Sequence, residues 1–256
     1  LPEYEESVPI YRLLLWQAIQ FCSNYKLLIG GFPAGDSLVD GFKSYMDNGI
    51  SYVPSSFSTY ERDKLSDRMC NIANFNNGKV FYTNAGADAN EVAMFITNQY
   101  NDNKKTLSFQ KSFHGGSTIA ASLMGGDTRN NKKLDYYNLD LYPIMKNPDI
   151  RDNGDESILQ ISKLFEEYRP ASIIVEGSSG SAGCILYPKY YLSKLEKICR
   201  ENNVLIICDE VMSGWGRSGE LFAYQKENFN PDIITTAKGI TSGYSQLGAV
   251  IVNEQL

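Results

Sequence analysis

The sequence has few of the residues from which metal sites and disulfide frameworks are built. It contains a single histidine, His114, and five scattered cysteines with no C-x-x-C pair. A zinc site would need thiolates from distant segments, and an odd number of cysteines does not suit a disulfide framework. We therefore expect no metal site, and we expect reduced, partly buried cysteines in a cytoplasmic protein.

A long apolar run and an excess of positive charge are also absent. No stretch approaches the roughly 20 apolar residues that a membrane-spanning helix needs. The opening LPEYEESVPIYRLLLW is acidic before it is apolar, which is the wrong order for a signal peptide. The formal net charge is -6, whereas surfaces that bind nucleic acid or anionic membranes are basic. We expect neither a nucleic-acid partner nor a membrane partner.

The residues that are present predict an α/β fold with a mainly parallel sheet. From about residue 79 onward, short apolar runs alternate with helical patterns, as in sheets whose strands are connected by helices. The apolar runs are mostly unbroken, which is typical of strands buried on both faces. The predicted strands are Lys79–Tyr82, Thr106–Phe109, Ala171–Val175, Val204–Cys208, Asp232–Thr235 and Ala249–Val252.

Apolar residues at helical spacing predict helices between these strands. One pattern runs from Ile158 to Tyr168 and another from Leu192 to Cys199, and a further helix signal lies at Thr59–Asn74. The segment Asn130–Gly154 is rich in Asn, Asp, Lys and Tyr. We predict that this segment is an irregular surface excursion.

A turn of small residues is a candidate anion site. In FYTNAGADANEVAMF, a predicted strand is followed by Asn84, Ala85, Gly86 and Ala87, whose small side chains leave backbone N–H groups accessible. The N-terminus of a helix attracts anions, and small residues allow a phosphate to approach closely. Taken alone, the same pattern is also typical of a tight turn that binds nothing.

A second glycine-rich motif, GWGRSG, matches the dinucleotide-binding pattern G-x-G-x-x-G, but its surroundings do not fit. Asp209 and Glu210 lie just before it and would repel a pyrophosphate. No acidic residue lies about 20 positions further on to bind a ribose, and such a loop should open a helix at once. The sequence therefore argues against a nicotinamide-dependent enzyme.

Two chemically reactive side chains end successive predicted strands. Asp209 follows LIIC, and Lys238 follows IITTA and precedes Gly239. In a parallel sheet both side chains emerge at the carboxyl edge, where ligands bind. By itself, a lysine at a strand end is more often a solvated surface amine.

Together these motifs resemble the class III aminotransferases, also called the ω-aminotransferase group. DEVMSGWGRSG followed by PDIITTAKG resembles the family signature, TNAGADANE its phosphate turn, and KSFHGG its Tyr/Phe-His-Gly motif. The resemblance runs from about residue 51 to 256. It implies a fold type I pyridoxal-phosphate (PLP) transferase that acts as a homodimer. Residues 1–50 would belong to the small domain and residues 51–256 would form the PLP-binding large domain.

The resemblance also implies roles for individual residues. Lys238 matches the catalytic lysine that forms a Schiff base with PLP and shuttles a proton. Asp209 matches the carboxylate that keeps the pyridinium nitrogen protonated. The other implied cofactor-binding residues are Gly86 and Ala87 as backbone donors to the phosphate, Phe113 above the ring, Val211 beneath it, and His114 and Glu176 close by.

Departures from the family pattern bear on the substrate. Gly116 stands where members acting on acetylornithine carry an arginine, and VEG at Val175–Gly177 replaces the usual Glu-Pro. ASLMGGDTR and DEVMSG are most similar to members that use ω-amino acids or amines with pyruvate. The resemblance thus implies transfer of an amino group from an amine or ω-amino acid to a keto acid such as pyruvate. Two alternatives stay open: a catalytically silent chain that binds cofactor or a partner, and a related PLP aminomutase.

Members of this family also extend beyond the residues that match this chain. The sequence begins with Leu1 rather than Met, and family members carry a C-terminal domain, so the chain is either a fragment of a longer enzyme or an unusual short form. In both cases we expect weak activity of the chain by itself. The segments Tyr52–Phe57 and Thr241–Gln246 are rich in aromatic residues, Ser and Gly. We predict that both segments lie in a subunit interface.

Overall fold

A computed structural model gives the three-dimensional arrangement of most of the chain. The structure describes residue 47 and residues 57–101, 105–122, 144–180, 183–243 and 245–256. The predicted small-domain segment 1–50 lies outside the described residues except for Asp47, and Tyr52–Phe57 lies outside them except for Phe57. The division of the chain at residue 50 stays a prediction.

A seven-stranded sheet occupies the centre of the described part, in the order β1-β7-β6-β5-β4-β2-β3. Strand β7 runs antiparallel to β1 and β6, and the remaining neighbours are parallel. The α/β fold and the mainly parallel sheet are therefore confirmed, and all six predicted strands agree with the structure to within one residue at each end. The strands are β1 Lys79–Thr83, β2 Thr106–Phe109, β3 Ile144–Met145, β4 Ser172–Glu176, β5 Leu205–Asp209, β6 Ile233–Thr236 and β7 Gly248–Val252.

Five α-helices accompany the sheet among the described residues. The first of them confirms the predicted helix: it begins after Thr59, whose hydroxyl accepts a hydrogen bond from Arg62 N (3.3 Å), and it ends at Asn74 in a left-handed conformation (φ 58°). Short 3₁₀ helices cover Ile150–Asp152, Ala223–Lys226 and Lys238–Thr241. The α-helices are α1 Tyr60–Ala73, α2 Gly86–Tyr100, α3 Thr118–Ser122, α4 Asp155–Tyr168 and α5 Tyr191–Glu201.

Both faces of the sheet are buried, which explains the unbroken apolar runs. On one face, Ile206 of β5 packs in a core that includes residues of α1, α4 and α5, such as Met69 and Leu195. On the other face, Ile207 packs in a core with Ala93 of α2. Successive strand residues thus point into different cores, and fully burying an aliphatic side chain contributes about 1.5–3 kcal/mol. Helix α2 is thereby fixed against the face opposite α1, α4 and α5.

The prediction of an irregular excursion at Asn130–Gly154 is wrong for its described part. Ile144 and Met145 form β3, which extends the sheet in parallel beside β2, and Met145 is fully buried. Residues 150–152 form a 3₁₀ helix, and residues 130–143 lie outside the described part. Two apolar residues suffice to add an edge strand to the sheet. So short an apolar run among polar neighbours does not predict a strand from the sequence.

Candidate active site

A cavity of about 380 Å³ opens at the carboxyl edge of the sheet, where β4, β5 and β6 end and α2 begins. Ligands of open α/β sheets characteristically bind at this edge. All eight residues selected from the sequence line this cavity. They are Gly86, Ala87, Phe113, His114, Glu176, Asp209, Val211 and Lys238.

The N-terminus of α2 forms one wall of the cavity. Ala85 precedes the helix in an extended conformation, and no side chain caps the first turn. The first N–H groups of a helix lack intrahelical acceptors and carry partial positive charge, so they can bind an anion. A Cβ at Gly86 would lie 2.7 Å from Cγ2 of Val211. Glycine is therefore needed for α2 to approach the turn after β5.

Asp209 ends β5 and is almost fully buried, with 4% of its surface exposed. Its Oδ1 accepts a hydrogen bond from Val211 N (2.9 Å). Its Oδ2 accepts hydrogen bonds from Asn90 Nδ2 (2.8 Å) and from His114 Nδ1 (2.8 Å). Burying a carboxylate is costly unless donors surround it. These three donors stabilise its negative charge inside the cavity.

His114 lies beside this carboxylate on the loop that follows β2. Its side chain is fully buried, and its Nε2 has no hydrogen-bond partner among the described residues. The loop lies close to α2, because a Cβ at Gly115 would be 2.5 Å from Cβ of Ala87. An unpaired buried polar atom is uncommon in folded proteins and often marks a functional position.

Lys238 follows β6 and opens the short 3₁₀ helix with a left-handed backbone (φ 49°). Its Nζ donates to Sδ of Met212 at 2.9 Å. Although solvent reaches the side chain through the cavity, the surrounding protein removes part of the hydration of the amine and lowers its pKa. The positive charge of Arg217 lowers the pKa further, whereas Asp209 and Glu176 act in the opposite direction. The net shift increases the fraction of neutral, nucleophilic amine.

The two neighbouring glutamates differ in position. Glu176 ends β4, lines the cavity and accepts a hydrogen bond from Phe113 N (3.3 Å) through Oε1. Glu210 is fully buried behind the turn, and its carboxyl accepts hydrogen bonds from Tyr224 N (2.9 Å) and Ser213 Oγ (2.6 Å). Burial raises the pKa of Glu210 to about 7.

The GWGRSG segment does not open a helix, in agreement with the argument against a dinucleotide site. It forms consecutive turns in which Trp215 is fully buried with φ 63°. The indole Nε1 of Trp215 donates to Thr236 Oγ1 at 2.6 Å. The glycines of this segment thus lie in a compact series of turns between β5 and β6.

Sequence reasoning missed several residues of the site. Asn90 carries a buried amide on α2, and Met212, Ser245 and Gln246 line the cavity. Asn90 had a usable signal, because it is a polar residue beside Ala89 on a helix face whose other buried residues are mostly apolar. The rim residues gave no comparable signal, since they belong to loops.

Neither a metal site nor a membrane-spanning helix is found among the described residues. No group of three or more His, Cys, Asp and Glu side chains is placed to hold a metal ion within that part of the chain. None of the helices described there is both long and apolar enough to cross a membrane.

The chain is similar in sequence to known aminotransferases. An adenosylmethionine-8-amino-7-oxononanoate aminotransferase from Anoxybacillus flavithermus is 34% identical over 201 residues, which cover 70% of this chain and 42% of that protein. An acetylornithine aminotransferase from Aquifex aeolicus is 35% identical over 184 residues, covering 70% of this chain and 46% of that protein. The chain therefore spans less than half the length of these curated relatives.

Solved structures show the same fold. A taurine:2-oxoglutarate aminotransferase from Bifidobacterium kashiwanohense, solved in complex with PLP and glutamate, superposes with a TM-score of 0.79 at 26% identity, over 96% of this chain and 55% of that one. An omega-transferase from Vibrio fluvialis gives a TM-score of 0.78 at 22% identity, over 96% of this chain and 59% of that one. The fold type I assignment is thereby confirmed. Because the profile of the family Aminotransferase class-III matches residues 19–256, the chain belongs to the class III aminotransferases.

Proposed function

We propose that this chain carries the PLP-binding part of an aminotransferase active site, with Lys238 and Asp209 as catalytic residues. One observation carries the proposal. A lysine amine with a lowered pKa and a buried, hydrogen-bonded carboxylate line the same cavity beside an uncapped helix N-terminus. The similar taurine aminotransferase, solved with PLP, supports the choice of cofactor.

The residues of the cavity fit each part of PLP. The first N–H groups of α2, at Gly86 and Ala87, suit the phosphate, and Asp209 suits the pyridine nitrogen. Phe113 and Val211 line the cavity and would flank the ring. The volume of about 380 Å³ lies within the range of small-ligand pockets. His114 and Glu176 also line the cavity and supply it with further polar groups.

Each catalytic residue then has a defined task. When bound, PLP supplies an aldehyde that combines with amines and a ring that accepts electrons. Lys238 binds the cofactor through Nζ, and once an amino substrate has replaced it, the free amine moves a proton to and from the substrate carbon. Asp209 holds a proton at the pyridine nitrogen through its negative charge. The donors around Asp209 keep the carboxylate oriented while it does so.

We propose an amine or ω-amino acid as the amino donor and a keto acid such as pyruvate as the acceptor. Gly116 lines the cavity without a side chain, and a Cβ added there would meet no atom within 4 Å. This position therefore lacks the arginine of members acting on acetylornithine, which argues against that donor. A panel of amines and ω-amino acids, including acetylornithine, assayed with pyruvate and 2-oxoglutarate, measures this preference directly.

We also propose a homodimer located in the cytoplasm. Ser245 and Gln246 line the cavity and are exposed, so the predicted interface segment Thr241–Gln246 reaches the rim of the site. A second subunit covering this rim would separate the cavity from solvent. Cys199 and Cys208 are buried and not in disulfides, which suits a reducing compartment.

Covalent trapping tests the central proposal. PLP is added to the purified chain, the complex is reduced with borohydride, and the labelled peptide is identified by mass spectrometry. We expect the label on Lys238, because its neutral amine is the nucleophile that faces the cavity. A label on another lysine, or no label at all, would contradict the assignment.

A further inference from the structure

The side chain of Asn90 links three other parts of the site. It is almost fully buried on α2, with 1% of its surface exposed. Its Nδ2 donates to Oδ2 of Asp209 (2.8 Å) and to the backbone oxygen of His114 (2.7 Å). Its Oδ1 accepts a hydrogen bond from Oγ1 of Thr235 (2.6 Å). One amide thus connects α2 with the ends of β5 and β6 and with the loop after β2.

The partners of this amide determine its orientation. Two of its neighbours, the Asp209 carboxylate and the His114 carbonyl, are acceptors and require the NH2 group. The third neighbour, the hydroxyl of Thr235, can donate and therefore suits the amide oxygen. A rotated amide would place its oxygen against two acceptors, which repel it. The two acceptors consequently fix the direction in which Asn90 donates, and the hydroxyl of Thr235 holds the amide oxygen in place.

Helix α2 also holds the far side of the same loop. Oε1 of Glu91 accepts hydrogen bonds from Ser117 Oγ (2.7 Å), Ile119 N (2.9 Å) and Ala120 N (3.1 Å). Asn90 and Glu91 are adjacent, so α2 holds the loop carrying Phe113 and His114 both at His114 and at its C-terminal end. The placement of this loop relative to Asp209 therefore depends on α2.

We propose that Asn90, anchored by Thr235, is a positioning residue for the cofactor site. It sets the rotation of the Asp209 carboxylate and the position of the Phe113–His114 backbone relative to that carboxylate. This role rests on the proposed function, since Asn90 acts only through residues that would contact the cofactor. Its two hydrogen bonds, together with the direct bond from His114 Nδ1 to Asp209, hold the carboxylate and the loop in one arrangement.

Nuclear magnetic resonance of His114 provides a readout that does not depend on catalysis. The chain contains one histidine, so the imidazole nitrogen signals belong to His114 without further assignment. Its Nδ1 hydrogen donates to the same Asp209 oxygen that Asn90 contacts. Any rotation of the carboxylate or movement of the loop must therefore change these signals, in the cofactor-free chain as well as with PLP.

Four variants of the network have graded expected effects. Asn90→Ala shifts the His114 signals and weakens PLP binding about tenfold, because a charge-assisted hydrogen bond is lost. Asn90→Asp weakens it by at least about a hundredfold, because a second carboxylate replaces the donor beside Asp209. Thr235→Val keeps the amide but removes the hydrogen bond to its oxygen, and it shifts the His114 signals in the same direction. Thr235→Ser keeps the hydroxyl and restores the wild-type signals.

A buried threonine outside the site serves as the matched control. Thr97 lies on the same helix, is fully buried, and its hydroxyl contacts Met94 O and Ser172 Oγ. Thr97→Val therefore removes a comparable hydroxyl and lowers stability without changing the His114 signals or PLP affinity. If Thr97→Val moved the signals as far as Thr235→Val does, a general loosening would explain them and the positioning role would fail.

The measurements separate the two proposals. Unchanged His114 signals in folded Asn90→Ala, with normal PLP binding, overturn the positioning role alone. If Asn90→Ala does not fold, the comparison of Thr235→Val with Thr235→Ser decides, and identical signals in those two variants overturn the role. Failure of the unaltered chain to bind PLP overturns the proposed function, and the spectra of the cofactor-free variants still report whether Asn90 holds Asp209 and His114.

Discussion

At the scale of single residues, the reactivity of Lys238 follows from opposing electrostatic influences. Loss of hydration and the charge of Arg217 lower the pKa of its amine, while Asp209 and Glu176 raise it. A lowered pKa means that the neutral amine is present at lower pH than for an ordinary lysine. The reaction of Lys238 with an aldehyde therefore extends further towards neutral pH.

Removing the charge of Arg217 tests this balance. In Arg217→Gln the second cause of the shift is gone, so the pKa of Lys238 rises and the pH profile of PLP addition moves to higher pH. The rate of the spectral change on adding PLP, measured from pH 6 to about 10, reports this shift. Arg217→Lys retains the charge and should keep the wild-type profile. Identical profiles for wild type and Arg217→Gln would contradict the electrostatic explanation.

The charge of Asp209 is tested by an isosteric change. Asp209→Asn preserves the shape of the side chain but removes the negative charge that holds the proton on the ring nitrogen. We expect amino transfer to slow by at least about a hundredfold, since each 1.4 kcal/mol of lost stabilisation is a factor of ten. Asp155→Asn, which changes an exposed carboxylate on α4, should transfer amino groups at the wild-type rate. Near-wild-type turnover by Asp209→Asn would show that another group holds the proton.

Some residues of the candidate site could be selected from the sequence and others could not. Lys238 and Asp209 could be selected because each follows a recognisable strand and lies within a family motif. Asn90 lies within the quoted TNAGADANE motif, but its partners Asp209 and Thr235 are 119 and 145 residues away along the chain. No local pattern reports which buried amide will meet which distant carboxylate. The contact becomes visible only when β5, β6 and α2 are packed together.

At the scale of elements, strands were easier to predict than the segments around them. Strands β4 and β5 are buried on both faces, so each reads as a continuous apolar run. Strand β3 has only two residues and was missed, because its position depends on pairing with β2 rather than on its own sequence. The turn after β5 could be recognised from GWGRSG, but its packing around Glu210 could not.

Burial of Glu210 in this turn couples stability to pH. Its pKa is raised from 4.5 to about 7 in the folded chain, so between these values the unfolded chain is ionised while the folded chain retains the proton. The contribution of Glu210 to stability is therefore complete below about pH 4.5 and falls as the pH rises to about 7, by about 3 kcal/mol in total. Above the folded pKa it changes no further.

Glu210→Gln removes this titration while keeping the shape of the side chain. The free energy of unfolding of wild type falls between pH 5 and 7, whereas that of the variant lacks this decrease. We therefore expect the variant's value to rise relative to that of wild type over this range, by up to about 3 kcal/mol. Denaturant titrations at several pH values measure the difference. Glu156→Gln, at an exposed position, should follow the wild-type pH dependence. A constant difference between Glu210→Gln and wild type over this range would refute the raised pKa.

The close contact between Gly177, which follows β4, and Glu210, which follows β5, allows a second test at this scale. A Cβ at Gly177 would lie 2.0 Å from Oε1 of Glu210, and this carboxyl is held by Ser213 and Tyr224. Gly177→Ala should therefore lower the free energy of unfolding by about 1–3 kcal/mol. Gly116→Ala meets no atom within 4 Å and should change it by less than about 0.5 kcal/mol. Equal stabilities for the two variants in denaturant titrations would show that the two strand ends are not so closely packed.

At the scale of the whole molecule, the question is whether each active site takes its proposed catalytic groups from one subunit or from two. Lys238, Asp209 and the N-terminus of α2 all line one cavity within a single chain. Among the residues that line it, Ser245 and Gln246 are exposed at the rim. A homodimer would therefore contain two sites, and each site would take its lysine and its aspartate from the same chain.

Mixing two inactive variants tests this arrangement. Lys238→Ala and Asp209→Asn are combined under conditions that exchange subunits, and transfer from an amine to pyruvate is assayed. Because every cavity in a mixed dimer still lacks one of the two groups, we expect no recovery of activity above that of the separate variants. Light scattering should report a mass about twice 28.7 kDa, as expected of a symmetric dimer, and Lys238→Ala mixed with wild type should retain activity in proportion to the wild-type chains. Recovered activity in the mixture of variants would mean that the lysine and the aspartate of one site come from different subunits, and a fully active monomer would refute the dimer itself.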